Sequence, residues 1–178
     1  MQTYIALLRG INVGSKKIKM TDLKVSFEEL GFTDVVTYIQ SGNVVFNSTI
    51  TNVKSIQKNI ETNLLSQYNF EVPVLLLKPE ELKNIIEKNP FTKDPKREEK
   101  LFYVVFLFEK PKEEFIKKLY EIKVPNEEFY FEDSSIYLYP GNGYGEAKMN
   151  NNFFENKLKV KATTRNWNTV NKLLEMTN

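Results

Sequence analysis

The sequence contains no cysteine and no histidine. Without cysteine there can be no disulfide, no thiolate metal site and no thiol nucleophile. Without histidine the chain lacks the commonest general base near neutral pH, the Ser-His pairing and imidazole metal ligands. Any catalysis must therefore draw on carboxylates, lysines, tyrosines, hydroxyls, backbone dipoles or a bound ion. Strong charge of one sign is missing too. The 25 basic and 23 acidic residues leave a net charge of +2, too little for the whole surface to attract a polyanion, so only a local cluster would do so. Met1-Gln2-Thr3-Tyr4 does not open a signal peptide, and no apolar run approaches the length of a membrane span. The expectation is a cytoplasmic protein with no membrane partner.

What is present is ordinary for a globular chain that builds its own core. Of the 178 residues, 41% are hydrophobic, and 13 Phe and 9 Tyr are expected to carry much of that core. Tyr4 to Leu8 reads as a buried strand. Leu23, Phe27 and Leu30 recur at helical spacing behind Thr21 as N-cap, with Gly31 as the stop. Asp34 to Gln40 and Asn43 to Asn47 read as a hairpin across a two-residue turn, Ser41-Gly42. Val53, Ile56, Ile60 and Leu64 mark a second helix. Val72 to Leu77 is a strand in which Pro73 forces either an edge position or pairing that begins after it.

The order β-α-β-β-α-β is that of a ferredoxin-like split βαβ unit, a four-stranded antiparallel sheet with two helices. Pro79 then opens a short helix that ends at Asn89-Pro90.

From Leu101 the order repeats. A strand over Leu101 to Phe108 precedes a helix carrying Phe115, Ile116, Leu119 and Ile122. A hairpin turns at Asp133-Ser134, and a Gly-rich loop over Pro140 to Gly145 leads to a helix from Ala147 to Leu158. Val160 to Thr164 is a last strand, and a final helix is capped by Asn166 and anchored by Trp167. The fold class expected is α+β, with two ferredoxin-like subdomains, antiparallel sheets and a C-terminal helix. The subdomains cover 1–89, with an extra helix, and 101–178, joined by a charged linker over 90–100.

Three stretches carry possible chemistry. Leu8 to Lys19 holds two glycines, one arginine, one asparagine and three lysines. It fails as a phosphate-binding P-loop, because only three residues separate Gly10 from Gly14 and no hydroxyl follows Lys16. Glycines there still permit a backbone concavity, with Arg9 and Lys16 facing an anion. The same residues also fit a turn with solvated lysines. Gly141 to Gly145 misses the dinucleotide fingerprint by one residue, yet Lys148 in the first turn of the following helix would suit a phosphate or carboxylate. Ala162 to Thr169 surrounds the only tryptophan; Arg165 either pairs with a carboxylate or clamps an anion bidentately. Adjacent glutamates such as Glu28-Glu29 point about 100° apart on a helix and read as solvated faces rather than an acid/base pair. Tyr137 and Tyr139 suit a strand over a core, or a stacking surface for single strands.

These same stretches carry a resemblance. Tyr4 to Gly14, Tyr38 to Phe46 and Ala162 to Val170, with Asn89-Pro90-Phe91 and the segment Lys148 to Asn151, resemble the hallmarks of the bacterial "domain of unknown function 1697" family. The resemblance spans essentially the whole chain. It implies an α+β fold of two ferredoxin-like subdomains and no established activity, substrate or catalytic residue. Family members often carry a second glycine where this chain has Ser15.

The function expected is a binding module for a small anionic ligand, a nucleotide or phosphorylated metabolite, or for nucleic-acid phosphate. Its residues would be Arg9, Asn12, Lys16, Gln40, Ser41, Asn43, Lys148, Arg165 and Asn166. An enzyme working without His or Cys at the same cleft, and a protein-interaction or assembly module, are the alternatives. No motif names a cofactor, a metal site, a catalytic residue or an oligomeric state.

Overall fold

The computed structural model describes all residues, 1–178, as an α+β protein with two four-stranded antiparallel sheets and six α-helices. The chain divides into two compact units, one of 1–83 with 172–178 and one of 84–171. The division falls inside two helices, so the first unit is built from two separate stretches of chain and the second from one.

The first unit runs β1 (Gln2–Leu8), α1 (Met20–Glu29), β2 (Thr33–Tyr38), β3 (Asn43–Ser48), α2 (Val53–Tyr68), β4 (Val74–Leu77) and the start of α3 (Pro79–Glu87). Its sheet has the order β2-β3-β1-β4, which puts β1 at the centre. Strand alternation sends Tyr4, Ala6 and Leu8 into one core with Leu23 and Phe27 of α1 and Ile56, Ile60 and Leu64 of α2. Phe46 of β3 is the hub, with ring centroids 4.6 Å from Phe32, 5.3 Å from Phe27 and 5.8 Å from Tyr4. Ile5 and Leu7 point to the other face and are equally buried, so β1 reads as a continuous apolar run and not an alternating one. Pro73 precedes the strand it was expected to restrict: β4 starts at Val74, lies at the edge, and has its first amide held by the Glu61 carboxylate at 2.9 Å.

Two local expectations change here. Helix α1 begins one residue before Thr21, with Lys19 at the N-cap and no side-chain cap. The β2–β3 connection is four residues, Ile39 to Gly42, rather than two. Left-handed Ile39, at φ 47°, ends the pairing of β2 early, and Gly42, at φ 74°, starts β3.

The second unit contains β5 (Tyr103–Leu107), α4 (Glu113–Glu121), β6 (Glu127–Glu132), β7 (Ser135–Pro140), α5 (Asn151–Leu158), β8 (Ala162–Asn166) and the start of α6 (Trp167–Glu175). The order β6-β7-β5-β8 repeats that of the first sheet. Val105, Leu107, Ile136 and Leu138 pack with Leu119 of α4 and Phe154 and Leu158 of α5. On the opposite face Phe102 lies 6.1 Å from both Phe91 and Trp167, centroid to centroid, which draws the segment after α3 and the start of α6 over the sheet. Residues 90–100 belong to this unit and form short 3-10 turns, one of them capped by Asn89, whose Oδ1 accepts from the Phe91 amide at 3.0 Å. The exposed edge strand β6 carries three glutamates, and the Tyr120 hydroxyl accepts from the Phe131 amide at 3.1 Å, which takes one edge donor out of play.

Helix α5 starts at Asn151, not at Ala147. The cause is Glu127. Its carboxylate accepts from the amides of Lys148 and Met149, each at 2.8 Å, and holds them outside the helix, while Asn150 becomes the N-cap through Phe153 N at 3.1 Å. No helix is long and apolar enough to cross a membrane.

Candidate functional site

The β1–α1 loop and the β2–β3 turn form one structure, and Asn12 joins them. At φ 57°, Asn12 adopts a left-handed conformation that asparagine tolerates well. Its Oδ1 accepts from Ile18 N at 2.9 Å, and its Nδ2 donates to Ile18 O at 3.0 Å and to Gln40 O at 2.8 Å. One side chain thus closes the loop on itself and ties it to the neighbouring turn. Backbone bonds reinforce the seam: Leu8 N donates to Gly42 O at 2.8 Å, and Arg9 N to Pro73 O at 2.9 Å.

Gly42 is demanded twice over. A Cβ there would lie 2.7 Å from Leu8 Cβ and 2.9 Å from Ile11 Cδ1, and its φ is left-handed. Asn43, fully buried, donates from Nδ2 to Tyr38 O at 3.0 Å and to Ser41 Oγ at 2.9 Å, which braces the turn from inside.

The loop ends in a tight reversal over Val13 to Lys16. Asn12 N donates to Lys16 O at 2.7 Å and Lys16 N to Val13 O at 3.3 Å. The tip amides of Gly14 and Ser15 donate to no protein atom and are exposed. Lys16 leans back: its Nζ lies 5.6 Å from the centroid of the Phe70 ring and donates to Glu71 O at 3.3 Å. Lys17 and Lys19 are exposed, and Arg9 is half-buried. A rigid frame therefore presents free amides and a local excess of positive charge, a combination suited to an anion.

The loop and the turn it is tied to each carry one exposed aliphatic side chain. Val13 is 62% exposed and Ile39 48%. Neither was singled out from the sequence. The signal at Ile39 is conformational, a β-branched residue at positive φ, which periodicity does not reveal.

In the second unit the expected site residues have mostly structural partners. Asn166 caps α6, accepting from Thr169 N at 2.8 Å, and Trp167 is buried behind it. The Lys148 amide is held by Glu127 and its side chain is exposed. Arg165 is buried on β8, where Nη1 donates to Thr163 Oγ1 at 2.7 Å and to Thr164 O at 2.9 Å. Burial pulls its guanidinium down to about 10, against a small opposing pull from Tyr144. Tyr144 stacks on Tyr103 at 4.7 Å and accepts from Asn151 N at 3.0 Å, while Asn151 Oδ1 accepts from Thr164 Oγ1 at 3.0 Å. The Gly-rich loop and β8 are thereby locked together. Burial, with Tyr144 adding to it, raises the Tyr103 hydroxyl above its usual range. Tyr137 is buried, with its hydroxyl bonded to Ile85 O at 2.7 Å, so it belongs to the core and not to a stacking surface.

The Leu8–Lys19 loop and the Gln40–Asn43 turn converge at the end of β1, and the Thr163–Thr169 segment builds the β8–α6 corner of the second unit. No group of three or more carboxylates is spaced to hold a metal ion.

A family model described as "Protein of unknown function (DUF1697)" matches residues 1–137. Among solved structures, a conserved bacterial protein from Streptococcus pneumoniae aligns with a TM-score of 0.78 and 25% sequence identity, covering 99% of this chain and 98% of that one. No curated protein matches the chain.

Proposed function

We propose that this chain, which belongs to the DUF1697 family of proteins of unknown function, is a binding module for a small anionic ligand, a nucleotide or phosphorylated metabolite, held at the β1–α1 loop. The observation that carries the reading is the pairing of free tip amides at Gly14 and Ser15 with a frame clipped by Asn12. Preorganised donors meet an anion without the cost of ordering a mobile loop. Arg9, Lys16, Lys17 and Lys19 supply the positive field, and its reach falls within about 10 Å at moderate salt. In this reading Asn12, Ser41 and Asn43 shape the site from behind, and Gln40 contributes its carbonyl to the Asn12 clip. The repeated β-α-β-β-α-β order, with strand orders β2-β3-β1-β4 and β6-β7-β5-β8, supports reading each unit as a ferredoxin-like subdomain. The similarity to a conserved bacterial protein from Streptococcus pneumoniae supports a bacterial source, and a cytoplasmic location is part of the same proposal.

The test is a thermal-shift screen of nucleotides, phosphorylated metabolites and short oligonucleotides at low salt. A ligand at 100 times its Kd stabilises the folded state by about 2.7 kcal/mol, a readable shift. The shift is expected to disappear in Arg9→Ala and in the charge reversal Lys17→Glu. A flat screen, or a hit indifferent to both variants, overturns the reading. Nucleic acid as the ligand would add a steep loss of affinity with salt.

A further inference from the structure

Resting on the anion-binding reading above, we infer that the site takes a nucleotide, with the phosphate at the Gly14–Ser15 tip and the base against an aliphatic shelf made by Val13 and Ile39. Ile39 is the residue that points there. Its φ is 47°, a left-handed conformation in which a β-branched side chain is sterically strained. It is 48% exposed, so the core gains little from it in return. Glycine or asparagine would occupy the same turn position without that strain. The turn is held in this shape by Asn12 Nδ2 on Gln40 O at 2.8 Å and Asn43 Nδ2 on Tyr38 O at 3.0 Å, the carbonyls of the two residues that flank Ile39. A strained, exposed aliphatic group fixed from both sides adds little to the core, and a ligand that covers it gives it a role.

Position supplies the rest. The Asn12–Gln40 hydrogen bond brings the two backbone segments together, with exposed Val13 next to Asn12 in one and exposed Ile39 next to Gln40 in the other, and Val13 directly precedes the Gly14–Ser15 tip. Inorganic phosphate or a small sugar phosphate has nothing to place on two aliphatic groups. A nucleotide carries an anion and a broad, weakly hydrated planar face in one molecule. Aliphatic groups on an exposed rim are then explained by the ligand half that covers them.

The test compares adenosine monophosphate, ribose 5-phosphate and a ten-residue oligodeoxyadenylate by titration calorimetry on the full chain. Adenosine monophosphate or the oligonucleotide is expected to bind about tenfold more tightly than ribose 5-phosphate. Whichever of the two binds better tells whether the nucleotide is free or part of a strand. Ile39→Asn is expected to raise the melting temperature by about 2 °C as the strain is relieved, while cutting the preference for the base-bearing probe by about tenfold. Val13→Ser, which leaves the turn untouched, is expected to reduce the same preference. Equal binding of all three probes, lost in Lys17→Glu, overturns the shelf and leaves the anion site standing. A preference unchanged in both Ile39→Asn and Val13→Ser also overturns the shelf. Failure of every probe to bind overturns both readings.

Discussion

Asn12 makes three hydrogen bonds from one side chain, to Ile18 N, Ile18 O and Gln40 O. Alanine there would strand those groups and also meet the left-handed backbone. Asn12→Ala is expected to cost about 2–4 kcal/mol in urea unfolding, more than a single lost hydrogen bond, and to speed amide exchange at Ile18. Tyr137 offers a residue-scale test of pH. Burial raises its pKa well above the usual 10.0, with Glu132, Asp133 and Tyr130 adding to the shift. Since the folded value is the higher one, the unfolded chain gives up this proton first. The stability Tyr137 contributes is therefore complete below pH 10.0 and is lost as pH rises above it. Arg165 has the opposite sign. Its folded value, about 10, lies below the usual guanidinium range, so its burial becomes less costly as pH rises above that value. The two are separated by comparing wild type with Tyr137→Phe. The variant is expected to lose about 1 kcal/mol at neutral pH and to show a shallower fall in stability from about pH 9 to about pH 11. Identical slopes would show that Tyr137 does not titrate with unfolding.

At the scale of elements, the informative places are those where a long-range group overrides a local pattern. The residues from Ala147 onward look helical, but Glu127 sits 21 residues away in sequence from Lys148 and takes its amide, together with that of Met149. A pair of charge-assisted hydrogen bonds of this kind outweighs the few tenths of a kcal/mol per residue that helix propensity offers. Glu127→Ala is expected to destabilise the second unit by about 2–3 kcal/mol and to speed exchange at the Lys148 and Met149 amides, while Glu127→Gln keeps one acceptor and part of the protection. Unchanged exchange at both amides in Glu127→Ala would refute the clamp. Helix α1 shows the reverse case. Thr21 has the composition of a cap, but the chain enters the helix a residue earlier because Ile18, held on both sides by Asn12, sets where the loop ends.

For the whole molecule, the division into units does not follow the order of the chain. Lys172 to Asn178 belongs with the N-terminal sheet, and within that segment Leu173 is 1% exposed. A chain ending at Asn171 is expected to lose stability in the first unit, read as faster hydrogen exchange in β1 and β3, since a fully buried leucine contributes about 1.5–3 kcal/mol. Exchange in β1 and β3 that matches the full-length protein would show that the last seven residues are dispensable to that unit.

What the sequence determined by itself is the succession of elements and their apolar faces. Leu23 and Phe27, Ile56 and Ile60, and the run Tyr4 to Leu8 announce themselves by spacing, because a helix or strand repeats its environment every few residues. Asn166 as a cap and Pro73 as a strand limit were legible for the same reason, each acting on backbone within three residues of itself. The polar residues of the first site were also visible as a group, in Arg9 to Lys19 and Gln40 to Asn43. Their roles were not. Asn12 reads equally well as a ligand contact and as a clip until its partner at Gln40, 28 residues on, is known. Arg165 reads as either a carboxylate's partner or an anion clamp until β8 buries it, with Nη1 on Thr163 Oγ1. Ile39 gives no hint of a positive φ, since that angle is imposed by the bonds at Tyr38 and Gln40 on either side. Only the tertiary structure decided these points, because a hydrogen bond between distant residues leaves no period in the sequence, and its geometry exists only once the sheet has brought its ends together.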